Sequence, residues 1–196
     1  MPLSKPDART LTHTRVVTCQ GYRRDDGLLD IEGHLHDSKP FDFPNKDRGG
    51  LIRAGEALHD MRIRITVDHD LNILNAEGCI DASPYTYCQQ VAPVINGLIG
   101  LQIGSGWRSK IRAVMGGTKG CTHLTELLGP MATTAYQTLV SEKERQRREQ
   151  NEALPNQHKS APGFLNTCHS HALHSPVVKE HWPEHYRPDK ETKQKS

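Results

Sequence analysis

Twice in this chain an alternating segment runs into a tight turn and out into a second extended segment. The first case is RVVTCQGYRRDDGLLDIEGHLHDSKP, with its turn at Asp25-Asp26-Gly27. Leu29, Ile31 and Leu35 fall on one side of the second segment; Asp30, Glu32, His34 and His36 fall on the other. Period two describes a strand with a dry face and a wet one. The second case is LHDMRIRITVDHDLNILNAEGCID, where Met61, Ile63, Ile65 and Val67 oppose Arg62, Arg64 and Thr66, and the turn falls at Asp68-His69-Asp70. Such a chain is an antiparallel four-stranded meander or curled sheet with one face to cover. Between the hairpins, Phe41 to Gly50 reads as a loop, with Pro44 and a double glycine.

The cover comes from the next segments. Tyr85 to Leu101 is mostly apolar but is interrupted by Pro93 and Gly97, which suggests two short helices. Trp107 to Met115 is short, basic and amphipathic. Leu124, Leu127, Leu128, Met131, Ala135 and Leu139 recur at helical spacing. Gly129-Pro130 should kink or break that helix, because the proline ring meets the carbonyl of Glu126. The expected fold class is therefore α+β: a sheet packed by several short helices, with a C-terminal extension.

This pattern sets the domain expectation. Residues 1–12 are a flexible lead-in and 13–140 the main domain. Residues 141–163 are a polar helix extension or linker, 164–188 a docking or lid segment, and 189–196 a disordered tail. Only 35% of the residues are hydrophobic, so part of a 196-residue chain stays unpacked. A formal net charge of +2 gives no reason for a nucleic-acid partner. No apolar run is long enough for a membrane span, and MPLSKPDARTLTHTR has no secretory apolar region. Five widely spaced cysteines without a CxxC fit a reduced, cytoplasmic chain.

Chemistry concentrates in GGTKGCTHLTELLG, which brings Lys119, Cys121, His123 and Glu126 close together. With a helix start near Thr122, His123 and Glu126 share one face and Cys121 sits at the amino end, where helix amides favour a thiolate. The same residues also suit a helix cap and a tight turn. No GxxxxGK[ST] or GxSxG is present. His34 and His59 are the strand candidates. They conflict in phase, since His34 is on the polar face while His59 alternates with Met61 and Ile63. A bulge, or a strand starting after His59, would remove the conflict. Arg108, Lys110 and Arg112 form a basic patch that either anchors a substrate anion or faces solvent. Asp81, Tyr85 and Tyr87 lie at a strand exit. Cys168, His169, His171 and His174 look metal-rich but lack the paired spacing of a zinc finger.

The motifs IEGHLHDSKPF, GEALHDMRIRITVD, AEGCIDASPYTYC, GLIGLQIGSGWRSKIR and GGTKGCTHLTELLGPMATTAYQTL, followed by FLNTCHS and VVKEHWPEHY, resemble the bacterial DUF2889 family of uncharacterised proteins. The likeness runs from about His13 to Tyr186. It implies no activity. It places Cys121, His123 and Glu126 in the family's longest motif, and His34 and His59 in two others. The family's usual NTCHAL segment is enriched in histidine here, which favours Cys168 and His169 over His171 and His174.

The function expected from these residues is a small metal-dependent hydrolase of an acyl or thioester-like small molecule. His34, His59 and His123 would hold one divalent ion such as zinc. Cys121 or Glu126 would serve as fourth ligand or catalytic group, and Arg108 or Arg112 as substrate anchor. Two alternatives stand beside it. One is a metal-free acyl-transfer enzyme with Cys121 as nucleophile. The other is a non-catalytic ligand-binding or assembly protein, with a homo-oligomer or protein partner engaged through the C-terminal segment.

Overall fold

The computed structural model describes residues 2–150 and 163–189. Most of the linker expected over 141–163 and nearly all of the tail expected over 189–196 lie outside the described residues. Two compact units are present, Met1–Glu144 and Arg145–Ser196. Residues 2–12 are exposed and form no regular element.

The first unit is an α+β fold. Strands β1 (Thr14–Arg23), β2 (Leu29–Ser38), β5 (Ala57–Val67) and β6 (Ile73–Ala82) form one antiparallel sheet in the order β1-β2-β5-β6. Both expected hairpins are there. The segment expected as a loop is more ordered: β3 (Phe43–Asn45) pairs with β4 (Gly50–Ile52) around a 3-10 turn at Lys46–Arg48. Gly49 and Gly50 both have positive φ, the conformation that closes this small hairpin.

Burial along β2 alternates without a slip, from Leu29 to Ser38. Leu29, Ile31 and Leu35 meet Met61, Ile63 and Ile65 of β5 in the core. One face of the sheet is covered by α1 (Trp107–Met115), α2 (Thr122–Glu149) and a 3-10 helix at Thr86–Leu98. That last element is a single 3-10 stretch, not the expected two short helices. Pro93 lies within it, and Ile95 and Leu98 are buried.

The α2 helix runs unbroken through Pro130, so the break expected there as one alternative does not occur. Its apolar stripe is buried on both sides of the proline, from Leu124 to Leu139, so packing outweighs the lost backbone bond. The indole Nε1 of Trp107 donates to the Leu128 carbonyl at 3.0 Å, just before the proline. Glycine in the strands lets α2 come close. A Cβ on Gly33 would stand 2.6 Å from the Met131 sulfur, and one on Gly21 would collide with Thr138.

In the second unit, α3 (Pro176–His181) starts with Ser175 as its cap; the Ser175 hydroxyl accepts from the Val178 amide at 3.1 Å. Phe164 packs on His171 and Trp182, with ring centroids 4.7 and 5.3 Å away. Cys168 Sγ lies 3.4 Å from His171 Nδ1. Among the described residues, no helix is long and apolar enough to cross a membrane.

Candidate functional site: a buried carboxylate facing two imidazoles

Asp37 occupies the dry phase of β2, two residues after Leu35, and is fully buried. A carboxylate there needs partners. Arg15, its neighbour across the β1–β2 pair, supplies two: Nε and one terminal nitrogen donate to the two oxygens, each at 2.7 Å. His59, directly opposite on β5, approaches the Asp37 Oδ2 with Nδ1 at 2.9 Å. His13 Nε2 stands 3.4 Å from Oδ1. Three hydrogen bonds thus reach the carboxylate, with the His13 ring close to its Oδ1.

The amino end of α2 completes the cluster. Cys121 precedes the helix, and its carbonyl accepts from the Thr125 amide. His123 stacks on His59 with centroids 3.9 Å apart, and its Nε2 lies 4.0 Å from Asp37 Oδ2. The Nδ1 of the same ring lies 3.8 Å from the Cys121 sulfur, which is in turn 4.0 Å from the Met61 sulfur. Glu126, at the exposed rim, accepts from the remaining terminal nitrogen of Arg15 at 2.9 Å. Two carboxylates therefore share one guanidinium.

Protonation follows from these contacts. Burial pushes Asp37 up, but hydrogen bonds and charge from Arg15, with the His59 hydrogen bond, outweigh it and hold the carboxyl at about 2. Burial pushes His59 down, His123 adds to this, and Asp37 opposes both. Burial also pushes His123 down, helped by the Arg15 charge and opposed by Asp37 and Glu126. The result is an ionised carboxylate beside two imidazoles that favour the neutral form, which is the form that binds a metal. One candidate ligand atom from each of Asp37, His59 and His123 lies within 4.8 Å of the others, so the group can hold a metal ion.

The expected site residues are only partly brought together. His59, Cys121, His123 and Glu126 converge. His34 does not. It stays on the opposite face of the sheet, with Nε2 2.8 Å from Asp60 Oδ1. It lines a cleft of about 370 Å³ with Arg62, Arg64 and Cys79. A bulge does interrupt the β2–β5 register, but it sits at Leu58, where Asp37 pairs with His59 and Ser38 with Ala57. His59 therefore keeps the phase of Met61, and the conflict with His34 stands. Asp37 fills the third position instead. Arg108 and Arg112 stand exposed on α1 and form no ion pair among the described residues. The cation at the cluster is Arg15. The signal for Asp37 was present in the sequence: it continues the spacing of Leu29, Ile31 and Leu35, so an acid there is placed inside.

The model of the family described as "Protein of unknown function (DUF2889)" matches residues 13–137, more than half of the chain. The chain belongs to the DUF2889 family. The DUF2889 match starts at His13 and takes in every residue of the cluster, from Arg15 to Glu126. No curated protein and no solved structure matches the chain.

Proposed function

We propose that this DUF2889 protein is a small metal-dependent hydrolase, with one divalent ion held by Asp37, His59 and His123. The observation that carries the reading is the convergence of one buried, ionised carboxylate and two neutral-favouring imidazoles, with candidate ligand atoms all within 4.8 Å. A two-histidine, one-carboxylate set suits zinc and related first-row ions. Such an ion acts as a Lewis acid on a carbonyl and makes water nucleophilic near neutral pH.

The chain's own residues supply the rest. Arg15 keeps Asp37 ionised and fixes its plane. Asp37 orients the His59 ring. Glu126, at the exposed end of the same guanidinium, is the group we assign to proton transfer, since it reaches solvent and stays next to His123 on the helix. An ester or thioester of a small acid is the substrate class, as a carbonyl is the group a Lewis acid polarises.

The test is elemental analysis of full-length protein purified without a histidine tag and then incubated with zinc. A second preparation carries His169, His171 and His174 as alanine, to remove metal picked up by the C-terminal segment. A ratio near one that falls in Asp37→Asn and His123→Ala supports the site, and ester or thioester hydrolysis lost in the same variants supports the reaction. Folded protein that takes up no metal overturns both.

A second reading has its own observation. Cys121 Sγ, His123 and Asp37 lie in series, at 3.8 and 4.0 Å. This is the order nucleophile, base, orienting acid. Activity that persists in chelator and disappears in Cys121→Ser selects it over the metal reading.

A further inference from the structure

On the side of His123 away from Asp37 lies a second set of donors of different character. The Cys121 sulfur is 3.8 Å from His123 Nδ1 and 4.0 Å from the Met61 sulfur. We propose that Cys121, Met61 and His123 Nδ1 form a three-coordinate site for a soft monovalent cation, copper(I).

The spacing around the Cys121 sulfur suits such an ion. With metal–sulfur bonds of about 2.3 Å and metal–nitrogen bonds of about 2.0 Å, a planar trigonal ion separates two sulfurs by about 4.0 Å and a sulfur from a nitrogen by about 3.7 Å. The Cys121–Met61 and Cys121–His123 separations, 4.0 and 3.8 Å, match these values. The donor types agree: thiolate and thioether select copper(I), while a thioether adds little for zinc. Charge agrees too. Cys121 releases its proton on binding, and a thiolate with a monovalent ion is neutral, which suits a site whose floor is the fully packed Met61. Copper stays in one oxidation state throughout, so no electron donor or acceptor is involved.

His123 is prepared for this role by the carboxylate on its other side. When Nε2, 4.0 Å from Asp37, carries the ring proton, the Nδ1 lone pair is left toward Cys121. A carboxylate behind a ligating histidine is a common means of fixing ring and tautomer. This site goes beyond the hydrolase reading and does not depend on it. A divalent ion would use the Asp37 side of the ring and copper(I) the Cys121 side, so one neutral ring serves one ion at a time.

The experiment titrates anaerobic full-length protein with copper(I) against a colorimetric chelator. X-ray absorption on a sample loaded below one equivalent then counts the sulfur ligands. The expected result is one tight site with two sulfurs and one nitrogen. Met61→Leu, which conserves volume and so keeps the core, should leave one sulfur and weaken binding about tenfold or more. Cys121→Ser should abolish the site. Cys168→Ser, which removes the other cysteine next to a histidine, should change nothing. Asp37→Asn should retain the two-sulfur signature although it loses zinc, which separates the two sites. The proposal is overturned if Met61→Leu leaves affinity and sulfur count unchanged, or if Cys168→Ser removes the copper.

Discussion

Asp37 and His59 face each other across β2 and β5, carboxylate to imidazole at 2.9 Å, on the side of the sheet that holds the hydrophobic core. Neither residue is placed there by the usual economy of burial. Each is in phase with aliphatic residues on its own strand, and each needs the other, with Arg15, to be tolerated.

Breaking this arrangement should cost stability. Asp37→Asn keeps the shape but removes the charge that Arg15 and His59 address. The expected loss is about 2 kcal/mol, the scale of charge-assisted hydrogen bonds. The check is the urea midpoint of variant and wild type in chelator. An unchanged midpoint would show that Arg15 gains as much from solvent as from Asp37.

The same ion pair sets an acid limit. The folded Asp37 titrates at about 2 against 3.8 for an ordinary aspartate. Its contribution is complete above pH 4 and is lost as pH falls from there toward 2, a change of about 2 kcal/mol. His59 and His123 act at higher pH. Their folded values lie below 6.5, so the unfolded chain takes up protons first and stability falls as pH drops below 6.5. Denaturation of metal-free protein at pH 7, 5 and 3 should show both declines. In Asp37→Asn the lower decline should be smaller.

Much of the sheet was legible because alternation is a local property. Leu29, Ile31, Met61 and Ile63 declare their face without reference to the rest of the chain. The cluster was half legible for a related reason. His59 declared its phase with Met61, and the α2 start declared Cys121 and His123. Asp37 was hidden by its residue type, since an acid beside His36 reads as part of the wet face until the count from Leu29 is kept strictly. Arg15 had no local signal; only the β1–β2 register places it beside Asp37. Pro130 does not end α2, because a proline's cost is local while the burial of Leu127, Leu128 and Met131 is tertiary.

The closeness of α2 to the sheet can be tested at Gly33. An alanine there meets the Met131 side chain, with its Cβ 2.6 Å from the sulfur, so about 1–3 kcal/mol of overpacking is expected. Met131→Ala alone leaves a cavity. Combined, each change relieves the other, and the double variant should be more stable than the sum of the two losses predicts. Simple additivity in urea denaturation would mean that the two side chains do not share this space.

His34 supplies the sharpest control on the site. It is a histidine on the same strand as Asp37, three residues away, and it pairs with Asp60 on the other face of the sheet. His34→Ala should therefore leave zinc content and any hydrolase activity within error of wild type. His59→Ala should lower metal affinity by about tenfold or more, since it removes a ligand and the partner of Asp37. Both variants are read by the same elemental analysis and the same thermal scan. Loss of metal in His34→Ala, with the fold intact, would place the ion on the cleft side of the sheet and remove the Asp37 cluster from consideration.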